Sequence, residues 1–248
     1  LMELVEVIVT KNTQSETLAK VLDLVALLKK LPIVVNDSRG FYTTRVVNRY
    51  CAEGMLMLVE GVNPSLIEQS ARLCGMPVAP LALCDEVGLD IAYHIMQQTI
   101  AADGEKSIDK RLSGLLSDLV NTHKRLGKKN EKGFYDHLPS GKVLWPEWSN
   151  IFPQSKKQPT TEQIQDRLLL VQCVEVQKCI AEGVITDPRE ADVGAIFGWG
   201  FAPWTGGPVS YLNYLGARQA QEKLASLVKN HGNRFSFDKV EKAGIQES

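Results

Sequence analysis

The sequence repeats itself, and this repeat limits the possible folds more than any other feature. Residues 45–61 align without gaps with residues 167–183, 122 positions further along the chain. The shared positions include Cys51 with Cys173, Glu53 with Glu175, and then Asn63-Pro64 with Asp187-Pro188. Asn or Asp followed by Pro is a helix start in both copies. Several matches in one order predict an internal duplication of a helical module.

The repeat predicts a mostly α-helical protein. It divides the chain into four parts. The first module is predicted at 38–138 and the second at 161–248, with a proline-rich linker at 139–160. Before them, residues 1–37 have a strand–helix–strand pattern that is typical of the end of an α/β unit. The predicted strands are Leu4–Val9 and Ile33–Val35, and the predicted helix runs from an N-cap at Ser15 to Lys30.

Three further helices are predicted in the first module from periodicity and turn residues. They run from Asn63-Pro64 to Gly75, from about Cys84 to Ala101, and from Ser113 to Arg125. Few strand signals follow Gly40, so no further sheet is expected.

Composition excludes several classes of protein. The net charge is −1, which gives no support for a nucleic-acid partner. No apolar run has the length of a membrane span, and five cysteines without a C-x-x-C pair favour a reducing compartment. We therefore expect a soluble, cytoplasmic protein. Because the chain opens on Leu1 and enters a strand almost at once, we also expect it to be a piece of a longer protein.

The first candidate site lies at the start of the first module, in residues 37–61. The turn Asp37-Ser38-Arg39-Gly40 delivers the N-terminus of a helix, where backbone N–H groups are free. Thr43 and Thr44 could hydrogen-bond a substrate carbonyl or cap the helix, and capping is favoured. Arg45 is interpreted as a structural ion-pair donor.

Glu6 is the second candidate, because an unpaired carboxylate in an apolar strand is costly. It either orients a histidine general base or is an edge-strand residue that faces water. The residues alone leave both interpretations open.

Three other groups are given structural interpretations. Gly198–Pro203 resembles a dinucleotide fingerprint, but no strand precedes it and Pro203 replaces the last small residue. Lys128, Lys129 and Lys132 are interpreted as a solvated loop rather than a phosphate site. The four histidines have no metal-ligand spacing.

Taken together, the motifs resemble the C-terminal part of the 3-hydroxyacyl-CoA dehydrogenase family, and most of all its fused multifunctional β-oxidation enzymes. The matching motifs, in chain order, are L-V-E-V-I, D-S-R-G-F-Y-T-T-R, the run Pro77–Asp90, G-x-K-N-x-K-G-F-Y ending at Tyr135, and Gly200–Pro208. The resemblance implies the end of a Rossmann-type NAD-binding domain followed by two tandem helical modules, like the C-terminal domain of 6-phosphogluconate dehydrogenase. In fused members the second module takes the place of a second subunit.

The resemblance also implies roles for three residues. Glu6 would hold a catalytic histidine, itself absent from this chain, in its working tautomer. Thr44 falls where many members have a substrate-contacting Asn, and Phe197 where some have a substrate-contacting Tyr. Without the Tyr hydroxyl, Phe197 is left with packing only.

The implied activity is NAD-dependent oxidation of 3-hydroxyacyl-CoA to 3-ketoacyl-CoA. NAD would bind the missing N-terminal domain, so this chain alone should hold no cofactor and be inactive. Acyl-CoA would be the ligand, with a homodimer or a thiolase as protein partner. The alternative is a non-catalytic helical module that binds acyl-CoA or mediates dimerisation on the same scaffold. A different dehydrogenase with a Rossmann-plus-helical plan is a weaker third choice.

Overall fold

The computed structural model describes residues 3–237 and is mostly helical. Residues 1–2 and the predicted end of the second module at 238–248 lie outside this range. The strands are β1 (Leu4–Val9), β2 (Leu31–Asn36), β3 (Tyr135–Leu138) and β4 (Gly141–Leu144). The helices are α1 (Ser15–Leu27), α2 (Thr43–Val59), α3 (Pro64–Leu73), α4 (Pro80–Val87), α5 (Leu89–Asp103), α6 (Lys110–Ser117), α7 (Trp148–Ile151), α8 (Thr161–Ala181), α9 (Pro188–Trp199) and α10 (Pro208–His231).

Residues 4–36 form the predicted strand–helix–strand. β1 and β2 pair in parallel, with Glu6 opposite Ile33. The predicted N-cap of α1 is wrong, because Gln14 occupies that position and Ser15 is already helical. α1 also ends before Lys30, since Lys29 adopts a left-handed conformation with φ 54°.

Two predicted helices differ from the structure for local reasons. The helix predicted over 84–101 is interrupted at Gly88, whose φ of 103° is not helical and which separates α4 from α5. The helix predicted from Ser113 to Arg125 is regular only to Ser117 and continues as a π-helical turn over Asp118–Thr122. Periodicity reports which positions are apolar, and it does not resolve a single-residue break.

A hairpin replaces part of the predicted irregular segment. β3 and β4 pair antiparallel, with Tyr135 opposite Leu144, and α7 follows. Each strand has only four residues, which is too short for alternation to be recognised.

The chain forms two compact units. Of the described residues, unit 1 comprises 3–50, Gly75–Pro77 and 166–237. Unit 2 comprises Cys51–Cys74 and Val78–Gln165.

The core of unit 1 joins the parallel strands to the later helices. Side chains from both parts pack together, including Leu4, Ile33, Tyr42, Val46, Val176, Ile185, Ala191 and Val209. Burying a Val, Leu or Ile side chain contributes about 1.5–3 kcal/mol. Residues from the start of the chain therefore depend on residues more than 140 positions away for their burial.

In unit 2, a buried arginine anchors the loop before the hairpin. Arg125 donates hydrogen bonds to the carbonyls of Gly133 (2.6 Å) and Tyr135 (3.1 Å) and lies 4.2 Å above the ring of Trp145. Trp148 stacks on Phe134, with ring centroids 5.2 Å apart, and donates to its carbonyl. The two tryptophans, for which the sequence offered no role, hold this loop in place.

Among the described residues, none of the helices combines the length and apolar character needed to traverse a lipid bilayer.

Candidate active site

The carboxylate of Glu6 is bound at the N-terminus of α2. Its Oε1 accepts the backbone N–H groups of Tyr42 and Thr43, both at 3.0 Å. Its Oε2 accepts the hydroxyl of Thr43 at 2.5 Å. A helix N-terminus presents free donors and a partial positive charge, so it stabilises a carboxylate. Glu6 is therefore held by protein donors and is not simply an edge residue that faces water.

The turn before α2 directs the N–H groups of Tyr42 and Thr43 toward β1. Gly40 and Phe41 are both left-handed, with φ of 81° and 46°, and the N–H of Phe41 bonds to the carbonyl of Ser38. A left-handed conformation is uncommon for a residue that carries a side chain. Such residues persist where the surrounding structure fixes them, as it often does at functional sites.

Helix α9 packs against residues that surround Glu6. Tyr42 is fully buried, donates its hydroxyl to the carbonyl of Ala191 at 2.7 Å, and meets Trp199 edge-on. A Cβ atom on Gly198 would lie 2.8 Å from Leu4 and 3.0 Å from Thr43, so only glycine permits this approach. The contacts bring part of the predicted second module, α9, against the site that was predicted from the first.

The other two predicted site residues occupy accessible positions. Thr44 is exposed in the first turn of α2. Phe197 is 42% exposed on α9, directly before Gly198. Val193, one turn earlier on α9, is similarly exposed, so the two side chains make an apolar surface on one face of the helix.

Arg45 is an ion-pair residue, as the sequence predicted. Its Nε donates to Glu175 at 2.5 Å and its Nη1 to Glu182 at 2.5 Å. These hydrogen bonds, that of Glu182 first, raise the pKa of the Arg45 guanidinium further above its ordinary value. Arg45 is therefore a permanent cation with two carboxylate partners.

The interpretation of Gly198–Pro203 as a structural segment is confirmed. Gly198 lies inside α9, and Gly200 ends that helix in a left-handed conformation with φ of 76°. A phosphate-binding loop instead follows a strand and opens a helix. Gly198–Pro203 is therefore not a phosphate-binding loop.

Two lysines of the basic loop and one histidine likewise have structural partners. Lys128 pairs with Glu86 at 2.8 Å, and Lys129 pairs with Asp90. His137 lies 3.0 Å from Asp85, a carboxylate that also accepts the N–H groups of Phe134 and Tyr135. Burial raises the pKa of Asp85, although these hydrogen bonds oppose the shift.

The partner of Thr43 could not be predicted from the sequence. Its hydroxyl binds Glu6, 37 residues earlier, and not a backbone group of its own helix. Glu6 takes the capping role instead, because its carboxylate accepts the first N–H groups of α2. No local pattern could have shown this pairing.

Comparison with known proteins decides the family. Residues 1–38 match the family model for the 3-hydroxyacyl-CoA dehydrogenase NAD binding domain, and residues 40–137 match the model for the C-terminal domain. The chain belongs to the 3-hydroxyacyl-CoA dehydrogenase family. Within this family, Glu6 lies in the segment matched by one domain model and Thr43 in the segment matched by the other.

A curated relative and two solved structures are similar to this dehydrogenase-family chain. The fatty acid oxidation complex subunit alpha of Shewanella baltica (strain OS185) is 35% identical over 239 residues, which are 94% of this chain and 33% of the relative. The chain thus spans about a third of that protein.

The structures support the fold. 3-Hydroxybutyryl-CoA dehydrogenase from Escherichia coli K12 has a TM-score of 0.72 at 19% identity, over 95% of this chain and 66% of that one. The dehydrogenase part of multifunctional enzyme 1 from C. elegans has a TM-score of 0.68 at 22% identity, over 98% and 56%.

Proposed function

We propose that this chain is the substrate-side portion of an NAD-dependent 3-hydroxyacyl-CoA dehydrogenase of fatty-acid oxidation. The observation that carries the proposal is the immobilised carboxylate of Glu6, which three hydrogen bonds hold at the N-terminus of α2. A fixed carboxylate of this kind can accept the N–H of an imidazole, select its tautomer and stabilise the imidazolium.

In this proposal Glu6 acts through a histidine outside this chain. The histidine removes the proton of the 3-hydroxyl group, and Glu6 stabilises the positive charge that results. The chemistry that NAD supplies when bound is acceptance of the hydride from C3. In this proposal NAD binds mainly to protein outside this chain, and the chain alone is expected to be inactive.

Thr44 and Phe197 are proposed to contact the acyl-CoA. Thr44 is exposed and directly follows Thr43, whose hydroxyl donates to Glu6. The Thr44 hydroxyl can donate a hydrogen bond to a thioester carbonyl. Phe197 and Val193 supply an apolar surface on the helix that packs against Thr43. This surface suits an acyl chain.

The predicted division into 1–37, 38–138, 139–160 and 161–248, with two tandem modules, is also part of the proposal. One matched pair of contacts supports it. In unit 2, Glu68 accepts the N–H of Leu81, the residue after the proline that begins α4. In unit 1, Asp192 accepts the N–H of Val209, the residue after the proline that begins α10. Both carboxylates come five residues after an Asx N-cap, Asn63 or Asp187.

The name of the relative supports assembly into a complex. The similar Shewanella protein is by name a subunit of a fatty acid oxidation complex. We propose that the parent of this chain assembles with a thiolase, or with a second copy of itself, in the cytoplasm.

The test is the kinetics of Glu6→Gln in the longest natural chain that carries this sequence. Gln keeps the shape of Glu6 but removes its charge, so kcat for 3-hydroxybutyryl-CoA should fall about 100-fold or more. Glu16→Gln, which changes an exposed glutamate on α1, is the matched control and should leave kcat unchanged. An unchanged kcat in Glu6→Gln would overturn the proposal.

The second candidate is a non-catalytic module that binds acyl-CoA. The exposed Phe197 and Thr44, which differ from the expected Tyr and Asn, favour it. A binding module would give no turnover in the longest natural chain, whereas calorimetry would still detect acyl-CoA binding that Phe197→Ala weakens.

A further inference from the structure

The hydroxyl of Thr43 lies 2.5 Å from Oε2 of Glu6. We propose that Thr43 is a positioning residue, which fixes the rotation of the Glu6 carboxylate so that one lone pair of Oε2 points at the catalytic histidine. This inference rests on the proposed function, because Glu6 has no histidine to orient otherwise. It assigns to Thr43 a role that is separate from helix capping and from substrate contact.

The distribution of hydrogen bonds on Glu6 indicates why the hydroxyl matters. A carboxylate has about four acceptor sites on its two oxygens. Oε1 receives two backbone N–H groups, and Oε2 receives the Thr43 hydroxyl. One acceptor site on Oε2 is left for an imidazole N–H. The terminal torsion of a glutamate is broad, so the backbone bonds to Oε1 alone would leave the direction of that site poorly defined.

The position of Thr43 explains why its hydroxyl is available. A threonine inside a helix often bonds back to a carbonyl three or four residues earlier. Thr43 is the first residue of α2, so the preceding residues form the left-handed turn and offer no helical carbonyl. A hydroxyl at this position can therefore be directed to a group on another element.

The methyl group of Thr43 fixes the direction of the hydroxyl. A Cβ built on Gly198 would lie 3.0 Å from Cγ2 of Thr43, which shows that the methyl packs closely against α9. Because a β-branched side chain has few χ1 rotamers, packing of the methyl also sets the hydroxyl. Packing against α9 thus fixes the Thr43 hydroxyl, and this hydroxyl in turn fixes the Glu6 carboxylate.

The hydrogen bond between Thr43 and Glu6 is charge-assisted. An O–H that donates to an ionised carboxylate is typically 2.5–2.7 Å long and about twice as strong as a neutral bond. Its loss is expected to misdirect Glu6 without emptying the substrate site. The effect should therefore fall on kcat and not on KM.

The experiment uses the longest natural chain that carries this sequence. Thr43→Val and Thr43→Ala each remove the hydroxyl, and each should lower kcat about 10-fold with KM for 3-hydroxybutyryl-CoA within twofold. Thr43→Ser keeps the hydroxyl and should return kcat to within threefold of the wild type. Thr99→Val, which removes a helical hydroxyl bonded to the carbonyl of Ile95, is the matched control and should leave kcat unchanged.

A double-mutant cycle separates positioning from a general structural effect. In the Glu6→Gln background, Thr43→Val should lower kcat no further, because the group that it positions has already lost its function. Additive losses in the double variant, or wild-type kcat in both Thr43→Val and Thr43→Ala, would overturn the inference. If Glu6→Gln itself keeps full kcat, it is the proposed function that fails.

Discussion

Glu175, on α8, accepts a hydrogen bond from Arg45 at 2.5 Å and one from Arg49 at 3.1 Å, and its side chain is only 3% exposed. These three side chains join two helices within unit 1. Replacing Glu175 with Ala would remove the buried acceptor of Arg45, whose side chain is 20% exposed, while Arg49, at 50% exposed, stays hydrated. Removing one partner of a fully buried pair costs about 3–5 kcal/mol. Because Arg45 keeps Glu182, we expect a loss of about 2 kcal/mol.

Urea denaturation followed by circular dichroism measures this loss. Glu222→Ala is the matched control, because Glu222 pairs with Arg218 on the surface of α10, where both side chains are mostly exposed. The control should change the free energy of unfolding by less than about 0.5 kcal/mol. Equal effects in the two variants would contradict the structural role of Glu175.

Position 133 must be glycine, because its neighbours leave no room for a side chain. A Cβ atom there would lie 1.9 Å from Oδ1 of Asp85, the carboxylate that accepts the N–H groups of Phe134 and Tyr135. Gly133→Ala should displace Asp85 and destabilise the protein by about 3 kcal/mol, since buried N–H groups lose their acceptor. Gly114→Ala meets nothing within 4 Å in α6 and should instead be neutral or stabilising, by up to about 1 kcal/mol. Thermal unfolding of the two variants tests this contrast.

Arg125 cannot be replaced by the other basic residue. Its planar guanidinium reaches two carbonyls and Asp136 at once and stacks on Trp145. A lysine would satisfy fewer of these acceptors, so Arg125→Lys should cost about 2 kcal/mol and alter tryptophan fluorescence. Arg218→Lys, at an exposed position, should do neither. Full stability in Arg125→Lys would show that charge alone suffices.

Glu68 should make stability depend on pH. Burial raises the pKa of Glu68 above its ordinary 4.5, and hydrogen bonds from Tyr135 and Leu81 only partly oppose the shift. Since the folded state binds the proton more tightly than the unfolded state, stability falls as pH rises from about 4.5 through the folded pKa. Glu68→Gln does not titrate.

The measurement is therefore a difference between two proteins. The free energy of unfolding of the wild type minus that of Glu68→Gln should decrease as the pH is raised above about 4.5. A difference that stays constant, or one that increases, would contradict a raised pKa of Glu68.

The sequence predicted several elements whose local pattern is strong. Asn63-Pro64 and Asp187-Pro188 begin helices as expected, because capping and proline preference act within one turn. The strand Leu4–Val9 was predicted to the residue. Gly88, by contrast, breaks a helix whose apolar periodicity continues across it, and the short strands of the hairpin gave no signal.

For the candidate site, the sequence alone determined which segments carry it. The motifs that contain Glu6 and Thr44, together with those at Pro77–Asp90, Tyr135 and Gly200–Pro208, led to the dehydrogenase family, which comparison with known proteins then established. Only the tertiary structure decided which side chains meet. Thr43 binds Glu6 across 37 residues, and Arg45 binds Glu175 across 130. Helix starts and periodicity are set by neighbours within a few residues, whereas these pairs form only when the packing of α2, α8 and α9 brings distant donors and acceptors together.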